Sequence, residues 1–156
     1  MHVEQRLAEL GILVPPATSP KAAYITGVVM GNYACSSGHT PHINGNVYLP
    51  GKVGRERTVE EGYEAARMAA LNCLGSLRGL LGSLDRIQRI VKVTGYVNAT
   101  EDFQEPHLVI NGASELLLHI FGEKGLHIRC AIGVCALPFG APVEIEMLVE
   151  LKEVGK

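Results

Sequence analysis

The chain of 156 residues has no tryptophan, and aromatic residues make up only 5% of it. It therefore offers no strip of aromatics interleaved with cations on which bases stack. A net charge of −2 gives nucleic acid no basic face to bind, so no nucleic-acid partner is expected. Long apolar runs are missing as well. None reaches the ~20 residues that span a bilayer, and no membrane partner is expected. The first ten residues, Met1 to Leu10, carry acids where a secretory signal would carry a cationic stretch followed by an apolar one. A cytoplasmic location is the expectation. The four cysteines, Cys35, Cys73, Cys130 and Cys135, form no Cys-x-x-Cys pair. In a reducing compartment they are expected to be core thiols. Neither a Gly-rich phosphate loop nor a Gly-x-Ser-x-Gly elbow occurs, and no internal repeat or low-complexity segment appears.

What the chain has is apolar residues, 47% of the total. At this length that supports one domain over residues 1–156 with a good core, residues 1–20 forming an N-terminal extension. The apolar excess reads in two ways, as surface hidden in an oligomer or as one rich core.

Val3, Leu7 and Leu10 recur at helical spacing and Gly11 can end the turn, so a short helix is expected over 2–11. Pro15, Pro16 and Pro20 force an extended connection. Ala22–Met30 is apolar and β-branched, Gly31-Asn32 suits a two-residue turn, and Tyr33–Ser37 follows as the partner strand. Gly38–Arg57 reads as a long loop with a short strand near Asn46–Leu49. Thr58-Val-Glu-Glu61 is a capping box. It opens a helix whose face is Tyr63, Ala66, Ala70, Leu74, Leu77 and Leu81, ending near Gly82. Ile87–Ala99 returns as a strand. Pro106 suits a first helical turn, and Ile110, Ala113, Leu117 and Ile120 form the face of a helix that stops at Gly122.

Arg129–Leu151 reads as two strands joined at Pro138–Pro142. In the first, Ile128, Cys130, Ile132 and Val134 share one face, and Arg129, Ala131, Gly133 and Cys135 the other. In the second, Val143, Ile145, Met147, Val149 and Leu151 alternate with Glu144, Glu146 and Glu150. The order is β-β-α-β-α-β-β, an α+β fold with a mixed sheet covered on one face by two helices. An arginine in an otherwise small, apolar strand needs a carboxylate, from the protein or from a ligand.

Arg129, Leu137-Pro138 eight residues on, and Val143-Glu144-Ile145-Glu146 resemble the C-terminal signature of the Rid (YjgF) family. These are enamine/imine deaminases once named L-PSP endoribonucleases. Tyr24, Ser37-Gly38 and Asn111 match further family positions, and the resemblance covers roughly residues 20–152. It implies a chorismate-mutase-like fold and a homotrimer with sites between subunits. It also implies cofactor-free hydrolysis of 2-enamine or 2-imine intermediates to 2-keto acids and ammonia. The N-terminal helix and the 42–57 loop are extra, as in a longer branch of the family. Where the family often has a cysteine two residues after the arginine, this chain has Ala131, so no cysteine nucleophile is assigned.

On this resemblance Arg129 is the candidate to hold the ligand carboxylate with its two-pronged guanidinium. Glu144 is the candidate to activate water or carry a proton. Tyr24, Ser37, Gly38 and Asn111 are candidate pocket residues, Gly38 by letting backbone approach the ligand. If the last two strands form a simple hairpin, Arg129 and Glu144 stand about 23 Å apart at ~3.3 Å per residue. Neighbouring subunits would then have to supply one each. His39 and His42 have His-x-x-His spacing but no accompanying third ligand, so no metal is expected. His107, His119 and His127 are scattered and read as structural. A trimer that only binds small carboxylates is the alternative function, and a ribonuclease the less favoured one.

Overall fold

The computed structural model describes residues 2–153, so the ends of the expected 1–156 domain, Met1 and residues 154–156, lie outside the described residues. Among the described residues three α-helices occur: α1 (Val3–Leu10), α2 (Val59–Leu81) and α3 (Pro106–Phe121). Seven strands occur: β1 (Gly27–Met30), β2 (Tyr33–Ser36), β3 (His42–Ile43), β4 (Asn46–Val47), β5 (Ile87–Asn98), β6 (Ile128–Val134) and β7 (Val143–Leu151). The helix ends follow local chemistry. Thr58 caps α2 through a complete capping box with Glu61. Gly11 and Gly82 take the left-handed conformation that closes α1 and α2.

The main sheet has the order β1-β2-β7-β5-β6. β5 and β6 run parallel, and every other neighbouring pair is antiparallel. The expected hairpin between the last two strands therefore does not form, because β5 lies between them. The physical reason is the α3 crossover, which returns the chain parallel to β5 and leaves β6 at the edge. Residues 135–142 then step over the end of β5, where Asn98 Nδ2 donates to Ala141 O (3.2 Å) and the Asn98 amide to Pro142 O (2.9 Å). The Pro-rich stretch is a bridge over one strand.

α2 and α3 cover one face. Ala66, Ala70, Leu74, Leu77 and Leu81 from α2, and Ile110, Ala113, Leu117 and Ile120 from α3, are buried against Val93, Val97, Ile145, Met147 and Val149. Gly112 lets the helices touch: a Cβ there would overlap the backbone of Tyr63. α1 packs at the side of this layer through Val3 and Leu7, and Glu4 pairs with Arg78 at 2.7 Å. The other face of the sheet is uncovered within the chain. It presents Val28, Met30, Tyr33, Tyr96, Ile128, Ile132 and Leu148 together with Glu144, Glu146 and Glu150, and Ile128 is 67% exposed.

Three further expectations are corrected. The first strand is shorter than Ala22–Met30, because only Gly27–Met30 has a partner in β2. The 42–57 loop carries a two-stranded hairpin, β3-β4, where one strand near Asn46–Leu49 was expected. Of the four thiols only Cys73 is buried. Cys35 is half-buried, and Cys130 and Cys135 are exposed, on the uncovered face and beyond the strand end respectively.

Candidate functional site

The candidate residues fall into two groups. The first is built around Arg129 on the edge strand β6. Its side chain lies on the helix-covered side, where Nη1 donates to Asn111 Oδ1 (2.9 Å) and Ser114 Oγ (3.1 Å) and Nη2 to His107 O (3.4 Å). Asn111 and Ser114 stand three residues apart on α3, hence on one side of the helix. All three acceptors are neutral. Among the described residues no carboxylate lies within ion-pair distance of Arg129. The guanidinium is half-buried and held in place, and its charge is not matched by an ion pair among the described residues.

His127, expected to be structural, belongs to this group. Its Nδ1 lies 2.7 Å from Gly125 O and its Nε2 3.0 Å from Ser114 Oγ. Burial first, and then the neighbouring Arg129 charge, hold its pKa below the usual histidine value, against the Gly125 hydrogen bond. Two signals in the sequence point to these additions. Ser114 follows Asn111 at i+3, and His127 precedes Arg129 by two residues at the entry to β6, a spacing that turns both side chains the same way along extended chain.

The second group surrounds Glu144 on β7, on the uncovered face. Gly38 lies against it: a Cβ on Gly38 would overlap the Glu144 carboxylate, 3.0 Å from Cδ and 3.3 Å from Cγ. Gly38 is expected to let backbone approach a ligand; within the chain its close neighbour is the Glu144 side chain. His39 exchanges two backbone hydrogen bonds with Ile145 (2.8 and 2.9 Å), which clamps Gly38 beside β7. Ser37 Oγ donates to Ile25 O at 2.5 Å and its amide to Thr26 O at 2.8 Å, fixing the segment that carries the exposed Tyr24. Burial, and secondarily the like charge of Glu146, raise the pKa of Glu144 above the ordinary carboxylate value. Glu146 itself is within reach of Tyr96 Oη (3.4 Å).

The structure does not bring Arg129 and Glu144 together within one chain. Arg129 stands opposite Val93 and Glu144 opposite Tyr96, with two strand spacings between β6 and β7. At ~3.3 Å per residue and ~4.8 Å per strand, their backbones are roughly 14 Å apart. The hairpin figure of 23 Å is replaced, but the side chains also lie on opposite faces of the sheet. Two surface cavities, of about 550 Å3 beside α1 and about 450 Å3 beside Lys52 and Asn98, include neither residue. His39 is buried with Nε2 unpartnered, while His42 bonds Thr40 Oγ1 (2.9 Å) and meets the Phe139 ring edge-on.

A helix-backed mixed sheet of this order, with an arginine on its edge strand and an acid on its uncovered face, defines a chorismate-mutase-like class of small α+β domain. The particular family follows from comparison. A family model described as "YjgF/chorismate mutase-like, putative endoribonuclease" matches residues 4–151, and the chain belongs to this YjgF/L-PSP family. It is 43% identical to Protein TCP17 of Trypanosoma cruzi over 96% of this chain and 94% of that one. Among solved structures, the protein Atu1372, of unknown function, from Agrobacterium tumefaciens is 40% identical with a TM-score of 0.89, over 96% of this chain and 92% of that one. A putative endoribonuclease from Shewanella oneidensis is 32% identical with a TM-score of 0.92, over 97% and 100%. The YjgF gene product of E. coli, at 23% identity and a TM-score of 0.62 over 87% and 94%, shares the fold.

Proposed function

We propose that the protein is a cofactor-free hydrolytic deaminase that converts reactive 2-enamines and 2-imines to 2-keto acids and ammonia. The observation that carries this reading is Arg129, a half-buried guanidinium held by three neutral oxygens and unmatched by any carboxylate among the described residues. A planar carboxylate supplies the missing charge and fits the guanidinium fork. Tyr24, Ser37, Gly38 and Asn111 complete the ligand's surroundings in this reading.

The working unit is a homotrimer with its sites between subunits. The uncovered sheet face, rich in exposed apolar side chains, supports this, since monomers rarely leave a contiguous apolar patch of that kind to water. So does the placement of Arg129 and Glu144 on opposite faces, with neither lining the two cavities beside α1 and beside Lys52. Arg129 of one protomer and Glu144 of the next then meet across the interface.

An enamine first gains a proton at C3 to become the iminium ion, the protonated imine. Arg129 fixes the carboxylate, which presents C2 to water. The ionised Glu144 takes a proton as the water oxygen bonds to C2, giving a carbinolamine. Glu144 returns that proton to nitrogen, the C–N bond breaks as ammonia leaves, and the O–H electron pair closes the C=O bond while the hydroxyl proton passes back to the ionised Glu144. Water is consumed and ammonia released with no change of oxidation state, so the chemistry calls for no cofactor. Four free thiols suit a reducing, cytoplasmic setting for such an enzyme.

A small-carboxylate sensor would use the same Arg129 without turnover. The name endoribonuclease, carried by the Shewanella relative, is less favoured for this acidic chain without an aromatic-basic strip. The deciving assay supplies 2-iminopropionate and follows ammonia. Release well above the spontaneous rate, lost in Arg129→Ala, is expected. Pyruvate binding without any acceleration would instead establish the sensor.

A further inference from the structure

The hydrogen bonds behind Arg129 have a direction that the geometry dictates. Gly125 O can only accept, so the His127 nitrogen facing it, Nδ1 at 2.7 Å, carries the proton. In the neutral ring Nε2 is then a bare acceptor, and the group 3.0 Å from it is the Ser114 hydroxyl. Ser114 spends its single proton on His127. Its oxygen lone pairs are thereby left to face Arg129 Nη1 at 3.1 Å. The chain of donation runs from Arg129 to Ser114 to His127 to Gly125 O, using the one hydroxyl proton of Ser114 and the one ring N–H of neutral His127. In a half-buried setting such bonds polarise one another in the same sense.

We propose that His127 is a positioning residue for Arg129, acting through the Ser114 hydroxyl to fix the guanidinium plane that receives the substrate carboxylate. This rests on the assignment of Arg129 as the carboxylate-binding group. Asn111 holds Nη1 from a second direction, so neither anchor alone fixes the plane. Without His127 the Ser114 hydroxyl is free to rotate and can turn its proton toward the arginine. Among the described residues no other charged side chain bonds to Ser114 or His127. Glu123 and Lys124 on the preceding turn, Glu115 on α3 and Lys92 on β5 are all exposed, and Glu115 is engaged by Tyr63 (2.7 Å). Histidine supplies an acceptor at a fixed distance beyond the backbone. Glutamine can place its carbonyl oxygen near the Nε2 position and leucine can place nothing there.

The test uses His127→Leu, His127→Gln and Ser114→Ala in the full-length protein, with Arg129→Ala as reference. Pyruvate affinity is measured by calorimetry, and kcat and KM with 2-iminopropionate. Losing one neutral hydrogen bond of ordinary strength predicts that His127→Leu raises both pyruvate Kd and KM by about tenfold, with kcat changed less than twofold. His127→Gln is expected to return both to within about twofold of the parent. Ser114→Ala should match His127→Leu, and the two changes together should be no worse than either, because they cut one chain. A folded His127→Leu protein with parental KM and Kd overturns the inference, as does a glutamine variant no better than leucine. If Arg129→Ala loses binding while His127→Leu does not, only this inference fails. If Arg129→Ala itself keeps parental binding and turnover, the carboxylate assignment and this inference fail together.

Discussion

Replacing Gly38 by alanine separates catalysis from folding at one atom. The backbone φ of Gly38 lies outside the left-handed region, so alanine strains nothing there. What the new Cβ meets is the Glu144 side chain, 3.0 Å from Cδ and 3.3 Å from Cγ, with a carboxylate oxygen nearer still. A carboxylate is the free end of a flexible side chain, so it moves while the backbone stays. Regaining carbon–carbon contact at about 3.5–4.0 Å requires a shift on the order of 1 Å. A misplacement of that size typically costs on the order of 10²-fold in rate, about 2.7 kcal/mol of barrier. Stability should hold, since Gly→Ala at a compatible position stabilises by about 0.4–1 kcal/mol through the unfolded chain. The assay compares kcat for 2-iminopropionate with the thermal midpoint. A large drop in kcat with little change in KM or midpoint is expected. A variant with parental kcat would refute the placement of Glu144 in the chemistry.

Arg129→Lys keeps charge but not the fork. Losing charge-assisted bonds of ~1.5–3 kcal/mol predicts pyruvate binding weaker by roughly 10- to 150-fold, and unchanged affinity would remove Arg129 from the site. Burial and Glu146 raise the Glu144 pKa above the ordinary 4.5, and a base works only when ionised. Activity is therefore present at higher pH and lost as pH falls through that raised value. The acid limb of kcat/KM lies above pH 4.5 and moves to lower pH in Glu146→Gln, whereas an unmoved limb would contradict the like-charge contribution. Light scattering should return about 50 kDa, three times the chain mass of 16.7 kDa, and a monomer mass at micromolar concentration would count against the trimer.

The sequence displayed its helices most clearly because their signals are local. The capping box at Thr58, the apolar period from Ala66 to Leu81 and the stop at Gly82 need no knowledge of the rest of the chain. Face assignment in β6 and β7 was legible for the same reason, since strand alternation is local too. Pairing was not. Whether Arg129–Val134 lies beside Val143–Leu151 depends on the insertion of β5, a strand about 40 residues upstream, and a Pro-rich bridge of eight residues resembles a loose hairpin turn. The candidate site shows the same division. Arg129 stood out as a charge in an apolar strand. His127 was passed over because its meaning lies in a tautomer set by Gly125 O and in a hydroxyl on α3. Gly38 reads in the sequence as a glycine beside a ligand, and only the fold places the Glu144 side chain against it.

The central claim is that one protomer supplies Arg129 and its neighbour Glu144. Complementation tests it most directly. Arg129→Ala and Glu144→Ala are each prepared as pure trimers and should be inactive toward 2-aminoacrylate generated from serine by a dehydratase. The two are then unfolded together, refolded, and shown by mass to have exchanged subunits. In a mixed trimer some interfaces join an intact Arg129 to an intact Glu144, so keto-acid release should return in part. Activity at background after proven exchange would contradict the shared site.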